Sequence, residues 1–319
     1  MTSVQPRSKT SPATSTHPMP TQDRPLIWID GQLVPKSEAK VSVFDHGFLY
    51  GDGVFEGIRV YRGKVFKCMS HLKRIYRNAE RIHMMRQNGG RFPYTQDEMR
   101  EILELCVREN GLEDGYIRLI FSRGAGTLGL NPFKCERPGV IVIADQISLY
   151  PEEMYEQGMR VIVAERPRTP TKCLDPSLKS LNYLNNILAK VEAIDAGCLE
   201  AIMLSTDGYV GECTGDNLFI VKDGEVITSP LDVGMLDGIT RAFVIQELCP
   251  ALDLAITERR LTVNDVLEAD EIFLTGSAAE IIAVTQVDET VISSGEGPVT
   301  RMLRDKFRAI VTGDNIPTN

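Results

Sequence analysis

The chain has 319 residues, of which 43% are hydrophobic and 25% charged, and its formal net charge is −9. This length favours two domains, and this composition is that of an ordinary globular protein. The negative charge argues against general nucleic-acid binding, and no apolar run is long enough to cross a membrane.

Short strands and tight turns are predicted from Ile27 onward. Asp30-Gly31 and Arg62-Gly63 are hairpin signals between apolar segments. Strands at 116–123 and 140–146 follow further along the chain, with a glycine-rich loop between them.

Two helices are predicted between these strands. Ser70 is the expected cap of the first helix, whose apolar residues recur at helical spacing at Leu72, Ile75, Ala79 and Ile82. Thr95 and Glu98 form a capping-box pattern at the start of the second helix, and Gly111 ends it.

Residues 148–158 are predicted to connect this first set of elements to a second one. The second set contains helices over about 180–196, after Gly238 and from about Pro298, strands from Met159, Glu200 and Glu271, and a hairpin at Asp223-Gly224. Because strands and helices do not alternate regularly, we expect an α+β or mixed α/β fold. The expected division is a disordered tail at 1–25, a small N-terminal α/β domain at 26–147 and a larger C-terminal domain at 159–319.

The seven cysteines include no C-x-x-C pair, and the four histidines are scattered. This pattern excludes an obvious zinc site or disulfide framework, so no metal is expected. Free cysteines are typical of a reducing compartment, and residues 1–25 have no apolar core of a secretory signal. We therefore expect a cytoplasmic protein.

Two polar residues of the second half are candidates for chemistry. Lys179 stands just ahead of a strongly apolar predicted helix. Desolvation disfavours the ammonium form of lysine, and neutral lysine is the nucleophile that forms a Schiff base. Glu212 lies among glycines and small residues, where a carboxylate could keep a cofactor's ring nitrogen protonated. Taken singly, a surface lysine and a turn acid are the commoner explanations.

Two further segments have the character of anion sites. LDGITR (236–241) is a glycine turn that leads into a helix, where free backbone N–H groups suit a phosphate. TGSAAE (275–280) follows a strand with small residues that could bind a phosphate or a carboxylate. The segment from Arg59 to Arg91 contains ten lysines and arginines but only one acidic residue, Glu80. Such a run is usually a solvated surface, but one or two of its arginines could bind an anion.

The order of these segments resembles the class IV pyridoxal-phosphate enzymes. Lysine in KSLNYLNN, glutamate in GECTGDNLF, LDGITR and TGSAAE follow one another as in that family. HGFLYGDGVFEGIRVY (46–61) resembles the branched-chain aminotransferase signature, and GYIRLIFSRGAGTLGLNP (115–132) resembles its substrate-side strand and loop. The likeness extends from about Leu26 to Thr312. It implies the two-domain class IV aminotransferase fold, with the active site between the domains.

The resemblance implies pyridoxal 5′-phosphate as the cofactor and assigns its contacts. Lys179 would hold the cofactor and act as the catalytic residue that moves the α-proton, and Glu212 would pair with the pyridinium nitrogen. Tyr183 would hydrogen-bond O3′, and Leu236 would pack against the ring. The phosphate would be bound by Arg74, Ile239, Thr240 and Ser277.

The resemblance also assigns the substrate pocket. Residues that match pocket positions are Tyr50, Phe55, Arg59, Tyr116 and Arg118. The arginines and tyrosines among them, together with the backbone at Ser277 and Ala278, would bind carboxylates. Because the partner subunit contributes to the pocket in this family, Tyr50 and Leu130 are expected to act across the interface of a homodimer or larger homo-oligomer.

The activity implied is transamination of L-leucine, L-isoleucine and L-valine with 2-oxoglutarate. Three alternatives stay open. The first is a D-amino acid aminotransferase, because the better-known branched-chain enzymes have K-x-G-G-N-Y where this chain has Lys179-Ser180-Leu181-Asn182-Tyr183, and KSLN also resembles D-amino acid aminotransferases. An aminodeoxychorismate lyase has a similar fold, and a non-catalytic small-molecule-binding protein is the third alternative.

Overall fold

The structure is a computed structural model that describes residues 23–86, 92–147 and 150–319. The predicted tail therefore lies, apart from its last residues, outside the described part of the chain. The described residues form two β-sheets with helices packed against them, which agrees with the predicted α+β class. No helix within these residues is both long and apolar enough to span a membrane.

The first sheet is antiparallel throughout. Its strands are β1 (Leu26–Ile29), β2 (Gln32–Pro35), β3 (Gly53–Tyr61), β4 (Lys64–Val65), β5 (Gly115–Ser122) and β6 (Gly139–Asp145). They are arranged in the order β2-β1-β6-β5-β3-β4. Asp30-Gly31 joins β1 to β2 and Arg62-Gly63 joins β3 to β4, so both predicted hairpins are confirmed.

Helices α1 (His46–Tyr50), α2 (Cys68–Arg81) and α3 (Gln96–Asn110) belong to the same half of the chain. An apolar cluster lies between the sheet and the helices α2 and α3, and includes Ile58, Leu72, Leu103 and Val142. The helical spacing of Leu72 and Ile75 thus marks the face of α2 that is buried, as predicted.

The two predicted helix caps have different outcomes. Thr95 and Glu98 form the capping box of α3, and Gly111 ends that helix in a left-handed conformation, both as predicted. The cap predicted at Ser70 is wrong, because α2 already begins at Cys68. The N–H groups of Lys67 and Met69 donate to carbonyls of Pro317 and Thr318, so the C-terminal segment satisfies donors that a side-chain cap would otherwise accept.

The second sheet is mixed. Its strands are β7 (Met159–Val163), β8 (Glu200–Leu204), β9 (Val210–Cys213), β10 (Asn217–Lys222), β11 (Glu225–Thr228), β12 (Ile256–Glu258), β13 (Glu271–Gly276), β14 (Glu280–Val287) and β15 (Thr290–Val291). The order is β12-β11-β10-β13-β14-β7-β8-β9, and β15 pairs with β14. Strand β7 is parallel to both of its neighbours, whereas β13 is antiparallel to both β10 and β14.

The helices of this half are α4 (Glu152–Gln157), α5 (Leu184–Asp195), α6 (Ile239–Phe243), α7 (Cys249–Ala251), α8 (Val263–Leu267) and α9 (Pro298–Val311). A π-helical segment, Val244–Leu248, joins α6 to α7. Helix α9 begins at Pro298 as predicted. The predicted connector 148–158 contains α4, and its residues 148–149 lie outside the described part.

Helix α5 begins later than predicted. The segment before it forms a single β-bridge with β3 at Ser180 and Val54, where Phe55 N–H donates to Lys179 O and Leu181 N–H donates to Gly53 O. This tertiary pairing uses backbone groups that an earlier helix would need, so the helix starts only at Leu184.

The two sheets share part of one core. Tyr61 and Phe66, from the first half, pack in one apolar cluster with Phe243, Phe273 and Phe307 from the second. The strands of the first sheet end at Asp145 and those of the second begin at Met159, and the division into two domains at this point stays a prediction.

Removing the Thr95 cap should lower the stability of the protein. Thr95→Ala deletes the hydroxyl that accepts from the Glu98 N–H, and losses of this kind cost about 0.5–2 kcal/mol. Urea denaturation followed by circular dichroism measures the free energy of unfolding. Ser70→Ala is the matched control, because Ser70 lies inside the first turn of α2, and should change this free energy by less than about 0.5 kcal/mol. Equal losses in both variants would contradict the assigned caps.

Candidate active site

A cavity lies where the first sheet meets the loops of the second half. The space between its lining residues, including the part that is open to solvent, is about 500 Å³. The predicted site residues among its lining are Arg74, Tyr116, Lys179, Glu212, Leu236, Ile239, Thr240, Ser277 and Ala278. Residues that are far apart in the chain are thus brought together in one place.

Lys179 enters the cavity from the segment that pairs with β3. Its Nζ donates to the Tyr183 hydroxyl at 3.1 Å, and it lies 4.7 Å from the centre of the Phe55 ring. Tyr183 stands at the start of α5, and its ring also contacts Phe55 edge-on. The amine therefore lies close to two aromatic rings and next to a hydroxyl.

Glu212 lies within strand β9, shortly before the apolar strand β10. Its Oε1 is 2.6 Å from Arg168 Nη2 and accepts from the Leu236 N–H, and its Oε2 accepts from Asn217 Nδ2 at 2.8 Å. Burial raises the pKa of Glu212, whereas Arg168 beside it favours the carboxylate. These partners leave Oε2 with further capacity to accept a hydrogen bond.

The opposite end of the cavity is suited to an anion. Arg74 is buried and lines the cavity beside the first turn of α6, where Ile239 and Thr240 lie. The hydroxyl of Thr275, another lining residue, is buried and has no hydrogen-bond partner among the described residues. A Cβ added at Gly238 would lie 2.0 Å from Asn217 Oδ1, so only glycine lets the backbone approach this closely.

Strands β3 and β5 supply the side of the cavity that is predicted to bind the substrate. The Arg118 guanidinium lies 4.5 Å above the Phe55 ring and 5.6 Å from the Tyr116 ring. Gly57 is paired with Arg118 across the sheet, and a Cβ at Gly57 would overlap the Tyr116 hydroxyl. The missing side chain therefore opens the space that Tyr116 borders.

Three predicted substrate residues lie elsewhere. The Arg59 guanidinium stacks on Tyr61, and its Nη2 is 3.8 Å from Glu280 Oε1, so this arginine already faces a carboxylate of the same chain. Tyr50 accepts from the Gly129 N–H at the surface. Leu130, which is 83% exposed, lies in the same loop. The cavity of a single chain does not bring these three residues to Lys179.

Several residues at the site were not predicted. Asp216 and Asn217 lie within the GECTGDNLF motif and Glu56 lies within HGFLYGDGVFEGIRVY, so the quoted motifs already contained these three residues. His71 lies outside the quoted motifs, three residues before Arg74. Arg168 has no comparable local signal, and only the fold brings it to Glu212. Burial, together with Glu200, raises the pKa of Asp216 to about 7.

A phosphorylated pyridine cofactor fits this set of groups. The arginine, the backbone N–H groups and the unpartnered hydroxyl suit a phosphate, and the buried carboxylate suits a protonated ring nitrogen. Lys179 lies between these ends as the amine for a Schiff base. The described residues contain no cluster of His, Cys, Asp and Glu that could hold a metal ion.

The sequence is similar to known aminotransferases over nearly its whole described length. It matches the family model of amino-transferase class IV over residues 53–287. A protein of Methanocaldococcus jannaschii that is provisionally named a branched-chain-amino-acid aminotransferase is 44% identical over 287 residues, which are 90% of this chain and 96% of that protein. The branched-chain-amino-acid aminotransferase of Escherichia coli K12 is 35% identical over 93% of this chain and 96% of that protein.

Solved structures of such enzymes have the same fold. A branched-chain amino acid aminotransferase solved with pyridoxamine 5′-phosphate, here called the pyridoxamine-phosphate relative, matches with a TM-score of 0.84 and 37% identity, over 90% of this chain and 94% of that one. The same enzyme has also been solved with N-(5′-phosphopyridoxyl)-L-glutamate and with 4-methylvaleric acid. The chain therefore belongs to the class IV aminotransferases, a family that uses pyridoxal 5′-phosphate.

Proposed function

We propose that the protein is a branched-chain-amino-acid transaminase. It would transfer the amino group of L-leucine, L-isoleucine or L-valine to 2-oxoglutarate in a reversible ping-pong reaction. The observation that carries this proposal is that Lys179 and the buried Glu212 line one cavity, with Arg74 at the end suited to bind an anion. The relatives of the same family that are named branched-chain aminotransferases support it.

Bound pyridoxal phosphate would supply the electron sink for the reaction. Lys179 Nζ is the proposed base that takes the proton from the substrate α-carbon and then delivers it to the cofactor. The Tyr183 hydroxyl, 3.1 Å from this nitrogen, orients the amine. Glu212, which pairs with Arg168 and accepts from Asn217, would hold a proton at the ring nitrogen.

The pocket must accept both an aliphatic side chain and a γ-carboxylate. Phe55 and Tyr116 offer apolar surface, and Arg118 lies between them with its guanidinium stacked on their rings. A carboxylate can pair with this arginine, whereas an aliphatic group can pack on the rings without displacing it. The pyridoxamine-phosphate relative, which has been solved with a glutamate derivative and with 4-methylvaleric acid, supports this dual use.

A second copy of the chain is part of the proposal. Phe48, which lies in α1 with Tyr50, is 74% exposed. Leu128 and Leu130, on either side of the Gly129 that donates to Tyr50, are 72% and 83% exposed. An apolar surface of this kind is typical of a subunit interface. In a homodimer, Tyr50 and Leu130 would complete the partner's substrate pocket, which fits their position outside the cavity of their own chain.

The visible absorption spectrum tests the proposal directly. The purified protein loaded with pyridoxal phosphate should show an absorption band that L-leucine bleaches, because the amino group passes to the cofactor. D-alanine should leave the band unchanged. Bleaching by D-alanine alone would assign the chain to the D-specific relatives, and release of pyruvate from aminodeoxychorismate would assign it to the lyases.

Lys179→Ala should abolish turnover. The variant loses the proposed base as well as the point of attachment, and we expect kcat to fall by at least about 10²–10⁴-fold, the share of one acid–base group. Lys172→Ala is the matched control, because this exposed lysine of the same segment lies outside the cavity. A steady-state assay with L-leucine and 2-oxoglutarate measures both variants, and near-normal turnover of Lys179→Ala would refute the assignment.

Arg118→Met should separate the two substrate classes. The variant keeps apolar volume but loses the cation, so kcat/KM for L-glutamate should fall about tenfold or more relative to that for L-leucine. Parallel assays with the two amino donors give this ratio. An equal loss for both substrates would mean that Arg118 supports the fold of the pocket and does not select the carboxylate.

A further inference from the structure

A buried carboxylate lies behind the end of the cavity that is suited to bind an anion. Glu56 belongs to β3 and is fully buried, on the same face of the strand as the core residues Val54 and Ile58. Alternation along the strand turns its neighbours Phe55 and Gly57 to the other face, toward the active site. A charged residue in this apolar layer is costly unless every part of it is paired.

The carboxylate is fully engaged by two residues of α2. Glu56 Oε1 accepts from Arg74 Nε, and Oε2 accepts from both Arg74 Nη2 and His71 Nδ1, each at 2.7 Å. The spacing of His71 and Arg74 along the helix puts both on the face that packs on β3. Burial opposes ionisation, but Arg74 and His71 together hold the pKa of Glu56 well below its usual value.

His71 must donate to this carboxylate. Burial lowers the pKa of His71, although the Glu56 charge acts in the opposite direction. A carboxylate has no proton to give, so Nδ1 carries the hydrogen of this bond. The His71 imidazole therefore fixes the position of Glu56 Oε2 through this hydrogen bond.

The remaining donors of Arg74 can be counted. A guanidinium has five N–H donors. Two are used by Glu56, and a third, on Nη1, donates to Asp237 O at 2.7 Å. One donor on Nη1 and one on Nη2 are left, and Arg74 lines the cavity. Two N–H groups at one end of a guanidinium match the oxygens of a phosphate.

We propose that Glu56 is a positioning residue for binding of the cofactor phosphate. Glu56 fixes the guanidinium of Arg74, and His71 in turn fixes the Glu56 carboxylate. The proposal rests on the proposed function, because it assumes that Arg74 binds the phosphate of pyridoxal phosphate. Arginine has a long flexible side chain, and its ordering before binding removes an entropic cost from the binding step.

The sign of the effect distinguishes positioning from simple electrostatics. Glu56 brings a negative charge close to the proposed phosphate position. If Coulomb repulsion dominated, removal of the charge would tighten binding of pyridoxal phosphate. If the fixed geometry of Arg74 dominates, the same change weakens binding.

The test compares two ligands of the apo-protein, pyridoxal phosphate and pyridoxal, which lacks the phosphate. The ratio of the dissociation constant of pyridoxal to that of pyridoxal phosphate, measured by quenching of protein fluorescence, isolates the contribution of the phosphate without any assay of turnover. Arg74→Met should lower this ratio sharply. Glu56→Gln should lower it by about tenfold or more, with the affinity for pyridoxal nearly unchanged. In the double variant, the ratio should equal that of Arg74→Met alone, because Glu56 acts only through Arg74.

A matched control is provided by Glu271, a second buried carboxylate that accepts from the N–H groups of Val299 and Thr300 at the start of α9. Glu271→Gln should lower thermal stability but leave the ratio of dissociation constants unchanged. If it lowers the ratio as much as Glu56→Gln does, general loosening explains the effect and the proposal is wrong.

Two substitutions at His71 cover the case in which Glu56→Gln does not fold, since breaking a buried ion pair is strongly destabilising. His71→Leu keeps the ion pair but removes the hydrogen bond to Oε2, and should lower the ratio. His71→Asn offers an amide donor near the position of Nδ1 and should restore it. Equal ratios in the wild type, His71→Leu and any folded Glu56 variant overturn the proposal, as does a raised ratio.

The failure of the proposed function would look different. If the wild type binds no pyridoxal phosphate, or binds it no better than pyridoxal with or without Arg74, the assigned phosphate site itself is wrong. If Arg74→Met behaves as expected and the Glu56 and His71 variants do not, only the positioning role of Glu56 is refuted.

Discussion

The active-site cavity depends on a short stretch of backbone pairing between β3 and the segment that carries Lys179. Phe55 N–H donates to Lys179 O at 2.9 Å, and Leu181 N–H donates to Gly53 O at 3.0 Å. These bonds join two parts of the chain that are far apart in sequence. They hold the backbone of Lys179 against β3 and delay the start of α5, so that Tyr183 lies beside the Lys179 amine.

Two buried ion pairs lie at opposite sides of the cavity, and the arginine of each also donates to the loop before α6. Arg74 pairs with Glu56 and donates to Asp237 O, whereas Arg168 pairs with Glu212 and donates to Gly234 O. Asp237 and Gly234 belong to the segment before α6, which also donates the Leu236 N–H to Glu212. Neither arginine can move without breaking the ion pair of a buried carboxylate, which is strongly unfavourable. The two arginines therefore tie the loop to both carboxylates.

Much of the fold and of the site could be predicted where the cause is local. The hairpin at Asp30-Gly31 and the capping box at Thr95 depend on residues within a few positions, and both were found. The cap at Ser70 was wrong because the distant C-terminal segment satisfies the start of α2. The order of the motifs predicted that Lys179 and Glu212 share a site, and both line the same cavity. Arg59, which was also assigned to the pocket, contacts Glu280 within the same chain, and its part in substrate binding stays a prediction.

The sequence by itself determined the mixed fold, which follows from the pattern of strands and helices. Its resemblance to a known family, through short ordered motifs, determined the family and indicated the main cavity residues. Only the tertiary structure decided which charges pair. Arg168 reaches Glu212, and Glu56 reaches Arg74, across separate elements. Such pairs depend on how strands and helices are stacked, and no spacing along the chain encodes them. The physical reason is that a buried charge requires a partner in space, and the chain brings that partner close only when it folds.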